Sequence, residues 1–255
     1  MASRSVLPLL LLAALAAFVL SSSGRSTAAT GPVVAAPESA SKLKPRWRSL
    51  ASSPRLGHTV AIVRRHSVPL RARPNDRVVA RARTSTEFGS MRVMSIAAQR
   101  GPWLGVVTTE GPNGKLAWVH IENRSLRFRR HAYSLHADLS GRWLELHRAG
   151  RRIRRISVAV GRPGSETPTG RFAVTDKLRG GEYGPYYGCC ILALNGHQPK
   201  LPAGWRGGNR LAIHGTNAPG TIGSPASAGC LRAAGSDLAV LMRRVPLGTP
   251  VFIRN

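Results

Sequence analysis

From Gly57 onward the sequence repeats one pattern, in which short runs of alternating apolar and polar residues are separated by Gly, Pro, Asn and Asp. HTVAIVRR, GKLAWVHI and NRLAIHG are typical runs. Such alternation predicts half-buried β-strands, and the separating residues are those that form turns. We therefore expect a mainly β protein with one or two short helices. The clearest helix candidate is AAGSDLAVLMRRV, in which Leu238, Leu241, Met242 and Val245 share one face.

The predicted strands form two groups, and a chain of 255 residues has room for two modest domains. Residues 57–130 contain short strands with Gly-Pro and Asn-Gly breaks, which suit a small antiparallel barrel or half-barrel of the SH3-like kind. Residues 131–255 continue as β, from YSLHADLSGRWLELHRAG to the closing TPVFIRN. We expect these two regions to fold as separate domains.

Residues 1–29 have the features of a secretory signal sequence. Arg4 is followed by an apolar run from Val6 to Leu20, by small polar residues, and by a cleavage point after Ala29. The run is shorter than the ~20 apolar residues of a membrane-spanning helix, so we expect cleavage and no membrane span afterwards, with an uncleaved anchor as the alternative. Residues 30–56 are predicted to be a linker, because they are Ala, Ser, Pro and basic residues without a period. The protein is expected outside the cytoplasm, in the cell wall or the periplasm.

The formal net charge of +27 comes from 38 Lys and Arg against 11 Asp and Glu. Such a charge attracts polyanions at low salt, although a general excess of arginine along the chain explains it equally well. The basic run RRIRR contains no aromatic residue on which bases could stack, so nucleic acid is not the expected partner. The sequence has no glycine-rich dinucleotide or phosphate loop and no metal-ligand spacing. We therefore predict no cofactor and no metal, and we expect a monomer.

The three cysteines are Cys189, Cys190 and Cys230. An exported protein meets an oxidising environment in which cysteines tend to pair. Cys189 and Cys190 are adjacent, and on a strand their side chains would point to opposite faces. We therefore predict two reduced, packed thiols in preference to a bond between neighbours. In either case Cys230 is unpaired.

Cys230 lies in a sequence that favours reactivity. The segment is SAGCLR, with Gly229 before the thiol and Arg232 two residues after it. A thiolate is favoured by a nearby cation, a histidine base or converging backbone donors. His214 ends the apolar run RLAIH, and a loop of Gly, Pro, Ser and Asn separates it from Cys230. The two side chains can face one another across that loop, which predicts a nucleophile with its general base.

These segments resemble the catalytic domain of L,D-transpeptidases, the YkuD-type exported enzymes that cross-link peptidoglycan stem peptides. Four stretches within residues 132–255 carry the resemblance, namely GRPGSETPTGRF, IHGT, IGSPASAGCLR and VPLGTPVFI. It implies a mixed β-sandwich with one or two short helices. It also implies a cysteine-dependent acyl transfer between stem peptides, with Cys230 as nucleophile and His214 as base. Water as the acceptor would make the enzyme a carboxypeptidase.

The resemblance implies roles for further residues in the same segments. They are orientation and oxyanion binding for Gly215, Ser227 and Gly229, and substrate binding for Arg232, Tyr186 and Tyr187. The implied partners are peptidoglycan stem peptides, with anionic cell-wall polymers as a second candidate for the basic surface.

One position departs from the family pattern. The family has Ser-His-Gly-Cys where this chain has Ser-Ala-Gly-Cys, so Ala228 replaces a histidine. Cys230 and His214 remain, and thiols are nucleophilic enough to react with little help, so activity is expected. The alternative is a non-catalytic or weakly active cell-wall-binding protein of the same fold.

Overall fold

The computed structural model describes residues 57–205 and 207–255. The predicted signal sequence, residues 1–29, and the predicted linker, residues 30–56, lie outside them and stay predictions. Strands dominate the described part, so the expectation of a mainly β protein is confirmed. Within that part, no helix is both long enough and apolar enough to span a membrane.

The first group of strands forms a seven-stranded antiparallel sheet. Its strands are β1 (His58–Val63), β2 (Val68–Arg71), β3 (Val78–Ala82), β4 (Val93–Arg100), β5 (Trp103–Val107), β6 (Ala117–His120) and β7 (Leu126–His131). Their order across the sheet is β3-β2-β6-β5-β4-β1-β7. Val68 and Leu70 of β2 alternate with the half-exposed Pro69 and point into one apolar core, as the sequence pattern requires. The SH3-like character of this sheet remains a prediction.

The second group forms an eight-stranded mixed sheet and a separate pair of strands. The strands are β8 (Tyr133–Asp138), β9 (Trp143–Arg148), β10 (Arg151–Ser157), β11 (Val160–Gly161), β12 (Gly170–Arg179), β13 (Cys190–His197), β14 (Arg210–His214), β15 (Pro225–Ser227), β16 (Leu231–Arg232) and β17 (Pro250–Arg254). The large sheet has the order β10-β9-β8-β17-β12-β13-β14-β16, while β11 and β15 pair with each other. β17 runs parallel to β8 and β14 runs parallel to β16. The remaining pairs in the large sheet are antiparallel.

The predicted helix is confirmed as α1 (Gly235–Arg244). Its Leu238 and Leu241 are fully buried and join the main core with Phe172 and Ile213 of the large sheet. α1 therefore packs on the core face of the large sheet at β13, and the other face of the sheet is not covered by this helix.

That other face carries the candidate site. Ile191 of β13 pairs with His214 of β14, and His214 pairs in turn with Arg232 of β16. Paired residues point to the same side of a sheet, so these three share a face, whereas Ile213 and Leu231 point into the core.

The first sheet packs against the strands beside this site. Arg171 of β12 donates a hydrogen bond to the carbonyl oxygen of Ile96 in β4 at 2.9 Å. Asn195 of β13 donates to the carbonyl oxygen of Thr108 at 3.1 Å. Phe88, from the segment between β3 and β4, packs on the apolar cluster next to the site. The segment between β3 and β4 therefore contributes Phe88 to the apolar cluster that Cys230 also joins.

Candidate active site

His214 and Cys230 lie at two neighbouring parallel strands, β14 and β16. His214 is the last residue of β14, and Cys230 directly precedes β16. Because His214 pairs with Arg232, the residue two positions before Arg232, Cys230, points to the same face. The structure thus places the predicted nucleophile and the predicted base on one side of the sheet, as diagonal neighbours.

The imidazole of His214 is fully buried and is held through one nitrogen. Nδ1 donates to the carbonyl oxygen of Gly215 at 2.6 Å, which fixes the tautomer because a carbonyl only accepts. Nε2 is then an unprotonated acceptor without a hydrogen-bond partner among the described residues. Burial, opposed by the bond to Gly215, lowers the pKa of His214 to about 4. The imidazole is therefore neutral at neutral pH, the state in which it can accept a proton.

The thiol of Cys230 is half-buried and protonated at neutral pH. Burial raises the pKa of Cys230 to about 11, against smaller lowering contributions from the Ala212 N–H group and Arg232. Cys230 is the free cysteine of the described residues, as expected, and its Sγ–H donates to the carbonyl oxygen of Arg210 at 3.8 Å. The thiol therefore bonds to that carbonyl and not to Nε2 of His214.

The loop before Cys230 is held by Ser227 and depends on Gly229. Ser227 Oγ accepts from the Gly229 N–H at 3.1 Å and donates to the Cys230 carbonyl oxygen at 2.6 Å. Gly229 has a φ of +117°, and a Cβ there would collide with the side-chain amide of Gln198. Position 229 therefore needs glycine both for its backbone conformation and for its packing.

A segment that we call the lid, residues 180–188, covers His214. It consists of two short 3₁₀-helices, and the second ends in Tyr186 and Tyr187. The Tyr187 ring lies 4.9 Å from the imidazole of His214 between ring centroids, and the Tyr186 ring lies 5.6 Å from it. A Cβ at Gly215 would lie 2.9 Å from the Tyr187 carbonyl oxygen, so glycine at 215 allows this close approach. The two rings of the lid therefore contribute to the burial of the imidazole.

Arg232 is the buried cation of the site. Its guanidinium lies 4.5 Å from the ring centroid of Tyr186 and donates to the hydroxyl of the same residue. Its Nε has no partner, and no described carboxylate forms an ion pair with it. A buried guanidinium without an acid is well suited to bind a carboxylate ligand.

The prediction of reduced thiols at Cys189 and Cys190 is wrong, because the two form a disulfide. The prediction assumed that both residues lie within one strand. β13 begins at Cys190, whereas Cys189 is exposed and occupies a turn after Gly188, which has a φ of +61°. Strand alternation therefore does not apply to the pair, and the disulfide joins the end of the lid to the first residue of β13.

A narrow pocket opens between the lid and the Cys230 loop, and its free volume is about 20 Å³. A cavity of this size holds a water molecule and nothing larger. Besides the tyrosines and Cys230, the lining residues are Gln198, Leu201, Trp205, Gly208, Asn209, Arg210 and Ala228.

Most of these lining residues come from HQPKLPAGWRGGNR, a stretch that the sequence analysis did not single out. Its apolar residues have no regular spacing. The signal that could have drawn attention to it was its position directly before the strand that ends in His214. Arg210 in this stretch forms an ion pair with Glu87, which lies between β3 and β4. The pocket is therefore anchored to the segment that leads into the first sheet's β4.

Known proteins resemble the part of the chain that contains the site. Residues 132–253 match the YkuD family of L,D-transpeptidase catalytic domains. "Putative L,D-transpeptidase YkuD" of Bacillus licheniformis is 32% identical over 123 residues, covering 48% of this chain and 65% of that protein. The protein of the same name in Bacillus subtilis is 32% identical over 125 residues, covering 48% and 66%. The chain thus spans just under two thirds of the length of these relatives.

Solved structures with a related shape carry similar names. L,D-transpeptidase 3 from Mycobacterium tuberculosis, in complex with a faropenem-derived adduct, is 15% identical with a TM-score of 0.41, covering 64% of this chain and 91% of that one. The catalytic domain of the E. faecium L,D-transpeptidase is 20% identical with a TM-score of 0.35, covering 49% and 99%.

Proposed function

We propose that the chain is an exported peptidoglycan L,D-transpeptidase that works through a cysteine acyl-enzyme, because residues 132–253 match the YkuD family of L,D-transpeptidase catalytic domains. Its substrates are stem peptides outside the cytoplasm, in the wall or periplasm. One stem donates its acyl group, and an amine of a second stem accepts it. Anionic wall polymers are further partners for the basic surface, and the protein acts as a monomer.

One observation carries the proposal. Nε2 of His214 is an open, unprotonated acceptor on the same face of the sheet as the free thiol of Cys230. Nδ1 is tied to the Gly215 carbonyl, so the imidazole can take up a proton only at Nε2. A neutral thiol and a neutral base are the starting state that proton transfer during attack requires.

The reaction begins when the thiol exchanges its Arg210 carbonyl acceptor for Nε2 of His214. Sγ attacks the carbonyl carbon of the donor's third residue while its proton passes to Nε2, and a tetrahedral oxyanion forms. The C–N bond then breaks, the imidazolium returns its proton to the leaving D-alanine nitrogen, and a thioester on Cys230 remains. The acceptor amine attacks this thioester and gives its proton to Nε2. The C–S bond then breaks as the new amide forms, and the imidazolium returns its proton to the sulfur, which regenerates the thiol.

Arg232 and the lid act on the donor. The guanidinium has no acid partner among the described side chains, so it is placed to bind a carboxylate of the stem peptide. Such a carboxylate competes with the Tyr186 hydroxyl for the same cation. Donor binding is therefore expected to release Tyr186 and open the pocket above Cys230.

Acylation by a carbapenem tests the proposal directly. Opening of the lactam by Cys230 adds the whole β-lactam mass to the protein, and intact-mass spectrometry detects it. The adduct is expected on the wild-type protein and on the Cys189→Ser/Cys190→Ser double variant, which leaves Cys230 as the sole cysteine. Cys230→Ala is expected to lose it.

The opposite result supports the second candidate function. Ala228 replaces the histidine of the family motif, and the thiol bonds to the Arg210 carbonyl, which together favour a wall-binding protein without catalysis. Freshly reduced wild-type protein that forms no adduct, and releases no D-alanine from a stem tetrapeptide with an acceptor amine, refutes the enzyme. Binding to purified cell wall would then be the function to measure.

A further inference from the structure

Gln198 reaches from the end of β13 into the loop that precedes Cys230. The residue directly follows β13, and 4% of it is exposed. Its Nε2 donates to the carbonyl oxygens of Ala228 at 3.1 Å, Glu166 at 3.0 Å and Ser165 at 3.3 Å. Its Oε1 accepts from the backbone N–H of Lys200 at 3.0 Å. One buried amide therefore joins three separate segments of the chain.

The 228–229 peptide bond is held at both ends. Gln198 binds its carbonyl oxygen, and Ser227 Oγ accepts from its N–H at 3.1 Å. A peptide unit is planar, so fixing the oxygen and the hydrogen fixes the orientation of the whole unit. The next residue along the chain is Cys230.

The backbone of Gly229 packs directly on the same amide. A Cβ at Gly229 would collide with Nε2 and with Cδ of Gln198. The close packing leaves the loop little room to shift toward Gln198, and the hydrogen bond to Ala228 opposes a shift away from it.

We propose that Gln198 is a positioning residue for the nucleophile, holding the 227–230 loop so that the thiol and backbone N–H of Cys230 face the donor carbonyl. This inference rests on the proposed function. In this chain position 228 carries only a methyl group, so its carbonyl is the group through which residue 228 is anchored. Catalytic geometry tolerates little error, since a displacement of about 1 Å reduces rates by about 100-fold.

Two substitutions of nearly equal size separate positioning from packing. Gln198→Met fills the same space and removes the hydrogen bonds. Gln198→Glu keeps the shape, but its ionised carboxylate faces three carbonyl oxygens, whereas its protonated form can donate one hydrogen bond to them. Lys200→Gln is the matched control, because its exposed side chain lies on the same loop and pairs only with Glu166 among the described residues.

The measurement compares two reactions of Cys230 in each variant. Acylation by a carbapenem needs an aligned thiol, whereas alkylation by iodoacetamide needs only an accessible thiolate. For Gln198→Met we expect acylation to slow by about 10- to 100-fold while alkylation becomes faster, since a loosened loop exposes the thiol. Lys200→Gln should change both rates by less than about twofold. Thermal unfolding of each variant is recorded so that rates are compared between folded proteins.

The pH dependence supplies a readout that simple packing would not alter. As the pH falls from about 8 to about 5.5, the acylation rate of Gln198→Glu relative to that of the wild type should rise several-fold, because a buried carboxyl gains its proton in this range. No such recovery is expected for Gln198→Met. Recovery that is equal in the two variants would count against the hydrogen bond as the cause.

The inference is overturned if the ratio of acylation to alkylation in Gln198→Met equals that of the wild type. The proposed function is judged separately, by whether the wild type forms an adduct at all. If it forms none, the alkylation rates still decide, because Gln198→Met should exceed wild type by about threefold or more. Equal alkylation rates in that case would refute a holding role for Gln198.

Discussion

His214 and His136 are both held neutral by the fold, yet of the two only His214 has a buried ring nitrogen without a hydrogen-bond partner among the described residues. Burial lowers the pKa of each to about 4. His136 shares its Nε2 with Ser134 Oγ at 3.0 Å, and its ring stacks between those of His147 and Phe252. His214 has Nδ1 fixed and Nε2 open.

The difference between these two histidines shows that a lowered pKa alone does not identify a catalytic base. A depressed pKa reports only that the imidazole is buried, and burial is shared by packing residues and by catalytic ones. What distinguishes His214 is an unpartnered nitrogen on the face that carries the free thiol of Cys230. His136 lies on β8, which is separated from β14 by β17, β12 and β13. Neither β8 nor its neighbours β9 and β17 carry a cysteine.

The largest expected effect comes from removing each imidazole in turn. His214→Gln should slow carbapenem acylation by about 100- to 10,000-fold, because glutamine cannot accept the thiol proton. His136→Gln should leave the rate within about twofold, since glutamine can still bond to Ser134. Stopped-flow acylation of the two purified variants measures this. Equal losses in both would remove the distinction between the two sites.

A smaller effect is expected from the glycine beside the thiol. Gly229→Ala should slow acylation by about tenfold or more, because the new Cβ displaces the loop from Gln198. Gly223→Ala is the matched control, since Gly223 also has a positive φ, +87°, but nothing lies within 4 Å of its Cβ position. Each substitution should cost about 1–2 kcal/mol of stability through backbone strain. If Gly223→Ala slowed acylation as much, strain and not contact would be the cause.

The strands, the helix and the candidate pair of His214 and Cys230 are all predicted from local sequence. Alternation in RLAIH predicts a strand with His214 at its end, and the apolar spacing of Leu238 and Leu241 predicts α1. Both are properties of neighbouring residues. The same holds for SAGCLR, whose glycine and unpaired cysteine predict a reactive loop without any knowledge of the fold.

Residues brought in by tertiary contacts were beyond the sequence analysis. Gln198 matters because it meets Ala228 and Glu166, which lie 30 and 32 positions away in the chain. The Cys189–Cys190 disulfide was mispredicted because the prediction assumed that both cysteines lie within one strand, whereas β13 begins at Cys190. The position of that boundary depends on where the lid ends and the strand begins, and strand boundaries are hard to predict from sequence.

A fall in pH tests both regions together, because His136 and His214 both have lowered pKa values. The pKa values of His58, His136 and His214 are each lowered by burial to about 4 from the usual 6.5. Between these values the unfolded chain binds protons that the folded chain does not, so the free energy of unfolding should fall as the pH drops from about 6.5 to 4. Urea unfolding at both pH values measures the loss. His136→Gln should make the loss smaller, and an unchanged loss would contradict the assignment.

The smallest expected effect concerns the Cys189–Cys190 disulfide, which adjoins the lid over His214 and lies away from His136. Cys189 follows the lid residues that pack on His214, whereas His136 lies strands away. Protein denatured without reductant should titrate as one thiol and, after reduction, as three. Reduction of the native protein should shift the nuclear magnetic resonance signal of the His214 ring and leave that of His136 in place, because the lid is released only at its end. The Cys189→Ser/Cys190→Ser variant should not respond to reductant. A shift of equal size at His136 would show that reduction also perturbs β8, and that the two histidines are coupled through the sheet.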